Sequence, residues 1–173
     1  MLFHASIDAQ DPRHDASVLA EIWRGSVLPF PPVPGSYIVL AGDERGSAIE
    51  ILPAGRVLIP GDREAESIKA FDSPRATATH LAVGVSCSVA ELERIARRER
   101  WLSRVCWRGD LFRVVEFWIE NRVELEFLTP EMQAEYRAAA NSERFGATFA
   151  SMAAARSRAE RAPAGERLEA VHG

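Results

Sequence analysis

A repeat with an offset of 76 residues divides most of this sequence into two similar halves. Glu50 follows His4 by 46 residues, and Glu126 follows His80 by the same 46 residues. The offset also aligns "ERGSAIEIL" with "ENRVELEFL" without a gap. Because self-similarity at a fixed offset indicates a duplicated structural unit, the sequence predicts two copies of one module.

The order of the predicted elements is the same in both halves. Each half begins with a strand, continues with a helix and a further strand, and ends with a hairpin. In the first half, Asp11 and Pro12 predict the start of the helix, and Gly25 predicts its end. In the second half, Ser88 and Glu91 predict a capping box. Because one such module cannot cover both faces of its own sheet, we expect the two copies to pair.

The repeat also gives the expected domain boundaries. We expect a first module at 1–55, a polar and turn-rich surface linker at 56–76, and a second module at 77–130. A C-terminal helix is expected at 131–155. The charged, proline-interrupted stretch 156–173 is expected to be a disordered tail.

Strand alternation places the repeated polar residues on one side of each predicted sheet. In "AIEIL" and "LEFL", apolar side chains alternate with the glutamate and therefore face the opposite way. The histidine in the first strand of each half has the same relation to its apolar neighbours. We expect the apolar rows to pack on the helices and the polar residues to face away from them. The residues that share this placement are His4, Glu50, His80 and Glu126.

Two imidazoles and two carboxylates that meet would form a metal site with nitrogen and oxygen donors. Such donors suit nickel, zinc, cobalt, manganese or iron(II), and donor type alone does not choose between them. A divalent cation would also offset the cost of burying two carboxylates near each other. A single strand histidine is more often a core residue than a ligand, and it is the repeat that favours the metal site.

At these residues the sequence resembles the vicinal oxygen chelate superfamily, which includes glyoxalase I, bleomycin-resistance proteins and extradiol dioxygenases. The resemblance covers about residues 1–130 and rests on "LFHASI", "AIEIL", "ATHLAV" and "LEFL", with the Asp-Pro after the first strand. It implies an α+β fold in which two βαβββ modules pair into a curved mixed-sheet cup around a divalent metal. The ligands implied by the resemblance are His4, Glu50, His80 and Glu126.

Two segments depart from the pattern of that superfamily. The stretch "ILPAGRVLIPG" has no counterpart of the Asn- and Gly-rich segment with which glyoxalase I binds glutathione, so glutathione is not implied. The last turn is "ENR" where the superfamily usually has "DPDG". This change leaves Glu124 as a rival to Glu126 for the ligand position, and the ungapped repeat favours Glu126.

Four residues of the second module are candidates for contact with a substrate. Along "FRVVEFWI", Glu116 and Trp118 fall on the same side as Glu126 if the alternate residues form the core. Arg104 and Arg108 alternate on the preceding strand, and both are candidates for holding an anionic group. A base near the metal and an exposed charge at the rim are equally good interpretations of Glu116. Solvated charges at the edge of the sheet are the simpler interpretation of Arg104 and Arg108, and Trp118 is most simply part of the core or of the pocket wall.

The predicted site is compatible with three classes of function. A metal-dependent lyase or isomerase would chelate vicinal oxygens of a small carbonyl compound and stabilise an enediolate, while Glu126 or Glu50 moves the carbon-bound proton. An oxygenase would use iron(II) held by His4, His80 and Glu126. A binding protein would enclose an antibiotic or another small molecule without metal. The symmetric ligand set favours the first class.

Composition narrows the expected partners. The net charge of −4 gives no basic footprint for nucleic acid, and no stretch reaches the roughly 18 apolar residues that span a bilayer. The start "MLFHASIDAQD" lacks the pattern of a secretion signal, and Cys87 and Cys106 lie in no metal-binding or redox spacing. We therefore expect a cytoplasmic protein that acts on a small molecule and binds neither nucleic acid nor membranes. A homodimer is also expected, and the sequence leaves open whether the cup closes within one chain or across two chains.

Overall fold

The computed structural model describes residues 4–60, 65–70 and 80–140, together with scattered helical positions between 147 and 158. This part of the chain forms ten strands and three helices. In chain order these are β1 (His4–Ala9), α1 (Pro12–Trp23), β2 (Ser26–Phe30), β3 (Ser36–Leu40), β4 (Ala48–Pro53), β5 (Arg56–Pro60), β6 (Ala65–Lys69), β7 (Leu81–Gly84), α2 (Val89–Glu99), β8 (Ser103–Arg108), β9 (Phe112–Ile119), β10 (Val123–Leu128) and α3 (Pro130–Ala139).

Eight of the strands form two four-stranded sheets with the same topology. The strand orders are β1-β4-β3-β2 and β7-β10-β9-β8. The pairs β1–β4 and β7–β10 are parallel, and the other neighbouring strands are antiparallel. Each sheet also has one helix between its first two strands. The predicted α+β architecture of two βαβββ modules is therefore confirmed.

The register within the sheets shows that the sequence repeat is a structural one. Ser6 pairs with Glu50 between β1 and β4, and Ala82 pairs with Glu126 between β7 and β10. Each glutamate thus lies opposite the residue that follows the repeated histidine by two positions. The offset of 76 residues connects equivalent points of two sheets.

Helix α1 begins where the sequence predicts, but it ends for a different reason. The Asp11 side chain accepts a hydrogen bond from the backbone N–H of His14 at the N-terminus. At the other end, Arg24 takes the left-handed conformation, with a φ of 55°. Gly25 is needed for space, because a Cβ there would lie 2.1 Å from the carbonyl oxygen of Leu40.

Helix α2 follows the sequence prediction closely. Ser88 and Glu91 form the reciprocal capping box. The helix buries Leu92, Ile95 and Ala96. These three residues recur at helical spacing, so they form the stripe that faces the core.

The two modules are joined through their helices, which pack antiparallel. His14 Nε2, near the start of α1, lies 2.7 Å from Glu99 Oε2 at the end of α2. At the opposite end, Arg24 lies 3.3 Å from Glu91. A single cluster of buried apolar side chains extends through both modules. Within the described residues, no backbone ladder joins the two four-stranded sheets.

The predicted linker contains two strands, and the helix predicted at 131–155 is observed as α3. A two-stranded hairpin, β5 with β6, occupies part of the 56–76 linker. Because prolines and turn residues interrupt this stretch, the alternation of polar and apolar residues does not indicate strands there. Helix α3 ends at Ala139, and helical positions recur between 147 and 158. Apart from position 158, the predicted tail 156–173 lies outside the described residues.

Helix α3 lies across one end of the second sheet. Gln133 Nε2 donates hydrogen bonds of 3.0 Å to the carbonyl oxygens of Val85 and Leu128. Met132 of this helix is buried. Among the described helices, none has the length and apolar character needed to cross a bilayer.

Candidate metal centre

The first polar face is the side of the β1-β4-β3-β2 sheet that points away from α1. Ser6 Oγ donates a hydrogen bond of 2.6 Å to Glu50 Oε2. His4 Nε2 lies 3.8 Å from Glu50 Oε1. Ile49 and Ile51, which flank the glutamate in β4, are buried on the opposite side. The structure therefore brings His4 and Glu50 together, as half of the predicted ligand set.

The second polar face is the corresponding side of the β7-β10-β9-β8 sheet, and it carries an Arg–Glu array. Two carboxylates in this array, Glu116 and Glu126, are cross-strand partners and are only 7% and 8% exposed. Two guanidiniums of β8 reach them. The members of the Arg–Glu array are Arg104, Arg108, Glu116, Glu124 and Glu126.

Arg108 is the centre of the Arg–Glu array. Its Nε donates a 2.7 Å hydrogen bond to Glu126 Oε1, and its Nη2 contacts the same oxygen. Its Nη1 donates to Glu116 at 3.0 Å, and its Nη2 lies 3.4 Å from Glu124. Arg104 Nε donates to the other oxygen of Glu116 at 2.6 Å. The array thus places two positive charges among three negative ones.

These ion pairs keep Glu116 ionised. Burial would raise the pKa of this carboxyl, but hydrogen bonds from Arg104 and Arg108 outweigh burial and hold the pKa below its ordinary value. Glu116 is therefore an unprotonated partner of the two guanidiniums at neutral pH. Its chemistry is suited to positioning positive charge and unsuited to donating a proton.

The remaining predicted site residues lie at the margins of the second face. His80 is exposed and immediately precedes β7. Trp118 pairs with Glu124 in the register of β9 and β10, which places it on the predicted side. Its indole Nε1 is buried and meets no hydrogen-bond acceptor in the described part of the chain.

The four predicted metal ligands do not meet within one chain. Across residues 4–60, 65–70 and 80–140, no group of three or more His, Cys, Asp or Glu side chains is placed to share a metal ion. The packing of α1 on α2 explains this result. Each polar face lies on the side of its sheet away from its own helix, so both faces point away from the helix pair.

A cleft of about 360 Å³ opens at the seam between the two modules. His4 lines its wall, and so do Ala82 and Gly84 of β7. Trp23, at the end of α1, also lines the cleft and donates a 3.2 Å hydrogen bond from Nε1 to the carbonyl oxygen of Gly84. The imidazole of His4 is accordingly accessible, with 58% of its side chain exposed.

Two contacts of the predicted ligands were not predicted from the sequence. Ser6 holds Glu50, and strand alternation could have found it, because it lies two residues after His4 in β1. Arg108 is predicted from the sequence, with Arg104, only as a residue that could hold an anionic group. Its contact with Glu126 spans the width of β9 and leaves no periodic signal in the sequence.

Comparison with known proteins gives relatives in structure only. No family model matches the sequence, and no curated protein matches it. The fosfomycin resistance protein FosX from Listeria monocytogenes, in its monoclinic form at pH 6.5, matches with a TM-score of 0.51. The identity is 15% over 80% of this chain and 97% of that chain.

Two further structures of the same Listeria protein match equally well. FosX complexed with Mn(II) and sulfate gives a TM-score of 0.52 at 14% identity, covering 80% of this chain and 96% of that chain. A Glu-to-Gln mutant complexed with Mn(II) and 1S,2S-dihydroxypropylphosphonic acid gives 0.51 at 15% identity, with the same coverage. At this identity the likeness concerns the fold alone. The chain therefore has the fold of the vicinal oxygen chelate superfamily, in agreement with the resemblance of its sequence.

Proposed function

We propose that this protein is a metal-dependent enzyme whose divalent cation is held between two copies of the chain. The first polar face of one copy would supply His4 and Glu50. The second polar face of the other copy would supply His80 and Glu126. A two-fold dimer forms two such centres, because each copy contributes one face of each kind.

One observation carries this proposal. The two modules place a glutamate at equivalent points of equivalent sheets, with His4 at the start of β1 and His80 just before β7. Both faces nevertheless point away from the helix pair that joins the modules. Pairs of imidazoles and carboxylates are suitable donors for manganese, zinc or iron(II). The Mn(II) complex of FosX, which shares the fold, supports the same cation chemistry.

The reaction class that these residues favour is a lyase or isomerase step on a small oxygenated carbonyl compound. A bound divalent cation would supply Lewis acidity toward substrate oxygens. Glu126 or Glu50 would move the proton, because both are carboxylates on the faces that enclose the centre. Arg104, whose side chain is 58% exposed, would bind an anionic group of the substrate. Trp118 would form part of the wall.

Subunit mixing tests where the centre lies. Chains with His4→Ala and chains with His80→Ala should each bind little Mn(II) alone. After they are unfolded together and refolded, mixed dimers regain one intact centre of two, so Mn(II) binding returns. A mixture of His4→Ala with Glu50→Ala is the matched control, because both changes affect the first face and every centre stays damaged. Equal binding by the two mixtures would rule out the shared centre.

Turnover tests the reaction. The Mn(II)-loaded protein is assayed with 2-oxoaldehydes and 2-hydroxy carbonyl compounds, and with fosfomycin because FosX shares the fold. Glu126→Gln should lose turnover while it retains part of its Mn(II). Unchanged turnover in this variant would remove Glu126 from the mechanism.

A second candidate is a binding protein that holds an antibiotic or another small molecule without metal. The Arg–Glu array favours it, since Arg104 and Arg108 already neutralise much of the negative charge of Glu116 and Glu126. The candidates differ in thermal unfolding. A metal enzyme gains stability on titration with Mn(II), because a ligand that binds the folded state shifts the equilibrium toward it. A metal-free binder does not.

A further inference from the structure

We propose that Arg108 competes with the metal ion for Glu126, so that its guanidinium stabilises the metal-free protein and weakens metal binding. This inference rests on the proposed function, because it requires Glu126 to be a metal ligand. It adds a role for a residue that is neither a ligand nor a proton carrier.

Two contacts of Arg108 converge on one carboxylate oxygen of Glu126. Both Nε and Nη2 contact Glu126 Oε1, so the guanidinium occupies the approach to this atom. The carboxylate is 8% exposed and its partner Glu116 lies directly across on β9. Without a positive charge, two nearly buried carboxylates would repel each other. Arg108 therefore does in the metal-free state what a cation would do in the loaded state.

The position of Arg108 in the fold allows it to leave. Arg104, Glu116 and Glu126 form one row across three strands, each paired with the next. Arg108 is outside this row, at the last residue of β8, and its side chain reaches diagonally over β9. The side chain is 31% exposed, so it can turn toward solvent without breaking a strand pair.

Arg108 also has a second place to bind when Glu126 is taken. Its Nη1 donates to Glu116 at 3.0 Å, and Glu124 lies 3.4 Å from Nη2. A cation on Glu126 would repel the guanidinium, because like charges a few ångströms apart in a partly buried site interact strongly. When the metal binds Glu126, Arg108 would thus keep two of its three carboxylate partners and stay beside the metal centre.

The first face has no such competitor among the described residues. Glu50 accepts a hydrogen bond from the neutral hydroxyl of Ser6 and lies near His4. Neither partner brings a permanent positive charge to the carboxylate. The competition is therefore specific to the second face and to one arginine.

The test measures Mn(II) affinity of the full chain by isothermal titration calorimetry, with thermal unfolding of the metal-free and loaded forms. Arg108→Ala should bind Mn(II) about tenfold more tightly than the wild type, since a charged hydrogen-bonded pair no longer has to be broken. Its metal-free form should melt at a lower temperature. Arg108→Gln should show the same direction of change, and it provides the measurement if the alanine variant does not fold.

Arg104→Ala is the matched control. This change removes the same charge from the same face, but the lost side chain contacts Glu116 and not Glu126. Its affinity for Mn(II) should rise by much less than that of Arg108→Ala. If Mn(II) affinity rose equally in the two variants, the cause would be the loss of one positive charge from the face, and the proposed competition would be wrong.

The result also separates this inference from the proposed function. If the wild type binds Mn(II) in a manner lost in Glu126→Ala, and Arg108→Ala and Arg108→Gln bind no tighter, the competition is wrong and the metal centre stands. If neither the wild type nor any Arg108 variant binds Mn(II), the metal centre is wrong and the competition fails with it.

Discussion

The two polar faces have the same strand topology, but different side chains surround the glutamate in each. In the first face, Glu50 is held by the hydroxyl of Ser6 and lies near an exposed His4. In the second face, Glu126 is nearly buried and its charge is met by Arg108. The register around the two glutamates is the same.

This difference shows what a duplicated module conserves. Strand order and register fix the place of each glutamate, because a slip by one residue would turn the whole strand over. The neighbours on the polar side are free to change, since they do not pack on the helices. A duplicated sheet thus preserves the position of a possible ligand more strictly than the environment that sets its affinity.

The largest expected effect tests whether both faces hold the metal. His4→Ala and His80→Ala should each lower Mn(II) affinity by about 100-fold or more, as the loss of a ligand exceeds the loss of its supporting contacts. Calorimetric titration measures the change. His14→Ala is the control, because His14 pairs with Glu99 in the helix interface. A large loss in only one of the two variants would mean that one face binds the metal alone.

The next prediction concerns the acidic residues in the first turns of α1 and α2, whose pKa values are shifted in opposite directions. Asp15 is buried, and burial together with the nearby carboxylate of Glu120 raises its pKa to about 8. Glu91 is in the capping box, where hydrogen bonds from Ser88 lower its pKa. Folded Asp15 therefore keeps a proton that the unfolded chain releases near pH 4. Stability from this group is present below about pH 4 and is lost as the pH rises to about 8.

Replacing Asp15 removes this loss. Neither oxygen of Asp15 meets a hydrogen-bond donor in the described part of the chain. Asp15→Asn should therefore raise the free energy of unfolding by about 2 kcal/mol at pH 8 and by much less at pH 5. Urea unfolding at both pH values measures the difference. Glu91→Gln should instead lower stability. The same gain from Asp15→Asn at both pH values would contradict a protonated Asp15.

A smaller effect is expected when the residue beside each glutamate is replaced by its equivalent from the other face. Ser6 and Ala82 are at equivalent points, each opposite a predicted ligand. Ser6→Ala should weaken Mn(II) binding about tenfold, because residues that orient a ligand typically contribute that much. Ala82→Ser supplies the reverse exchange and should change affinity little, since Arg108 already holds Glu126. Unchanged affinity in Ser6→Ala would show that Glu50 is oriented without its hydroxyl partner or is no ligand.

The smallest effect compares the caps of the two helices. Asp11 and Ser88 each accept a hydrogen bond from a backbone N–H of the first turn. Asp11→Ala and Ser88→Ala should each lower the free energy of unfolding by about 1 kcal/mol. Urea unfolding measures both. Ser17→Ala, at an exposed position inside α1, should have little effect. A far larger loss at one cap would show that its residue also supports the contact between modules.

The sequence predicted the parts of the fold that follow from local periodicity. Strand alternation placed Glu50 and Glu116 on the polar sides of their sheets, and the helix starts at Asp11 and Ser88 were read from capping residues. The antiparallel packing of α1 on α2 was not predicted, because it depends on the long-range pairs that His14 and Arg24 make.

The contact between Arg108 and Glu126 was missed for a related reason. A long side chain that crosses one strand to reach another leaves no period in the sequence. The sequence predicted a cation beside the second glutamate on the ground that its charge needs compensation. The structure shows that a guanidinium already meets part of that need.

The antiparallel helix pair has a consequence for how such a protein is assayed. If each chain carries two outward-facing halves of different centres, a lone chain has none that is complete. Specific activity should then fall with dilution, following the concentration of associated chains. Two preparations of equal purity would show different rates per milligram simply because they were measured at different concentrations.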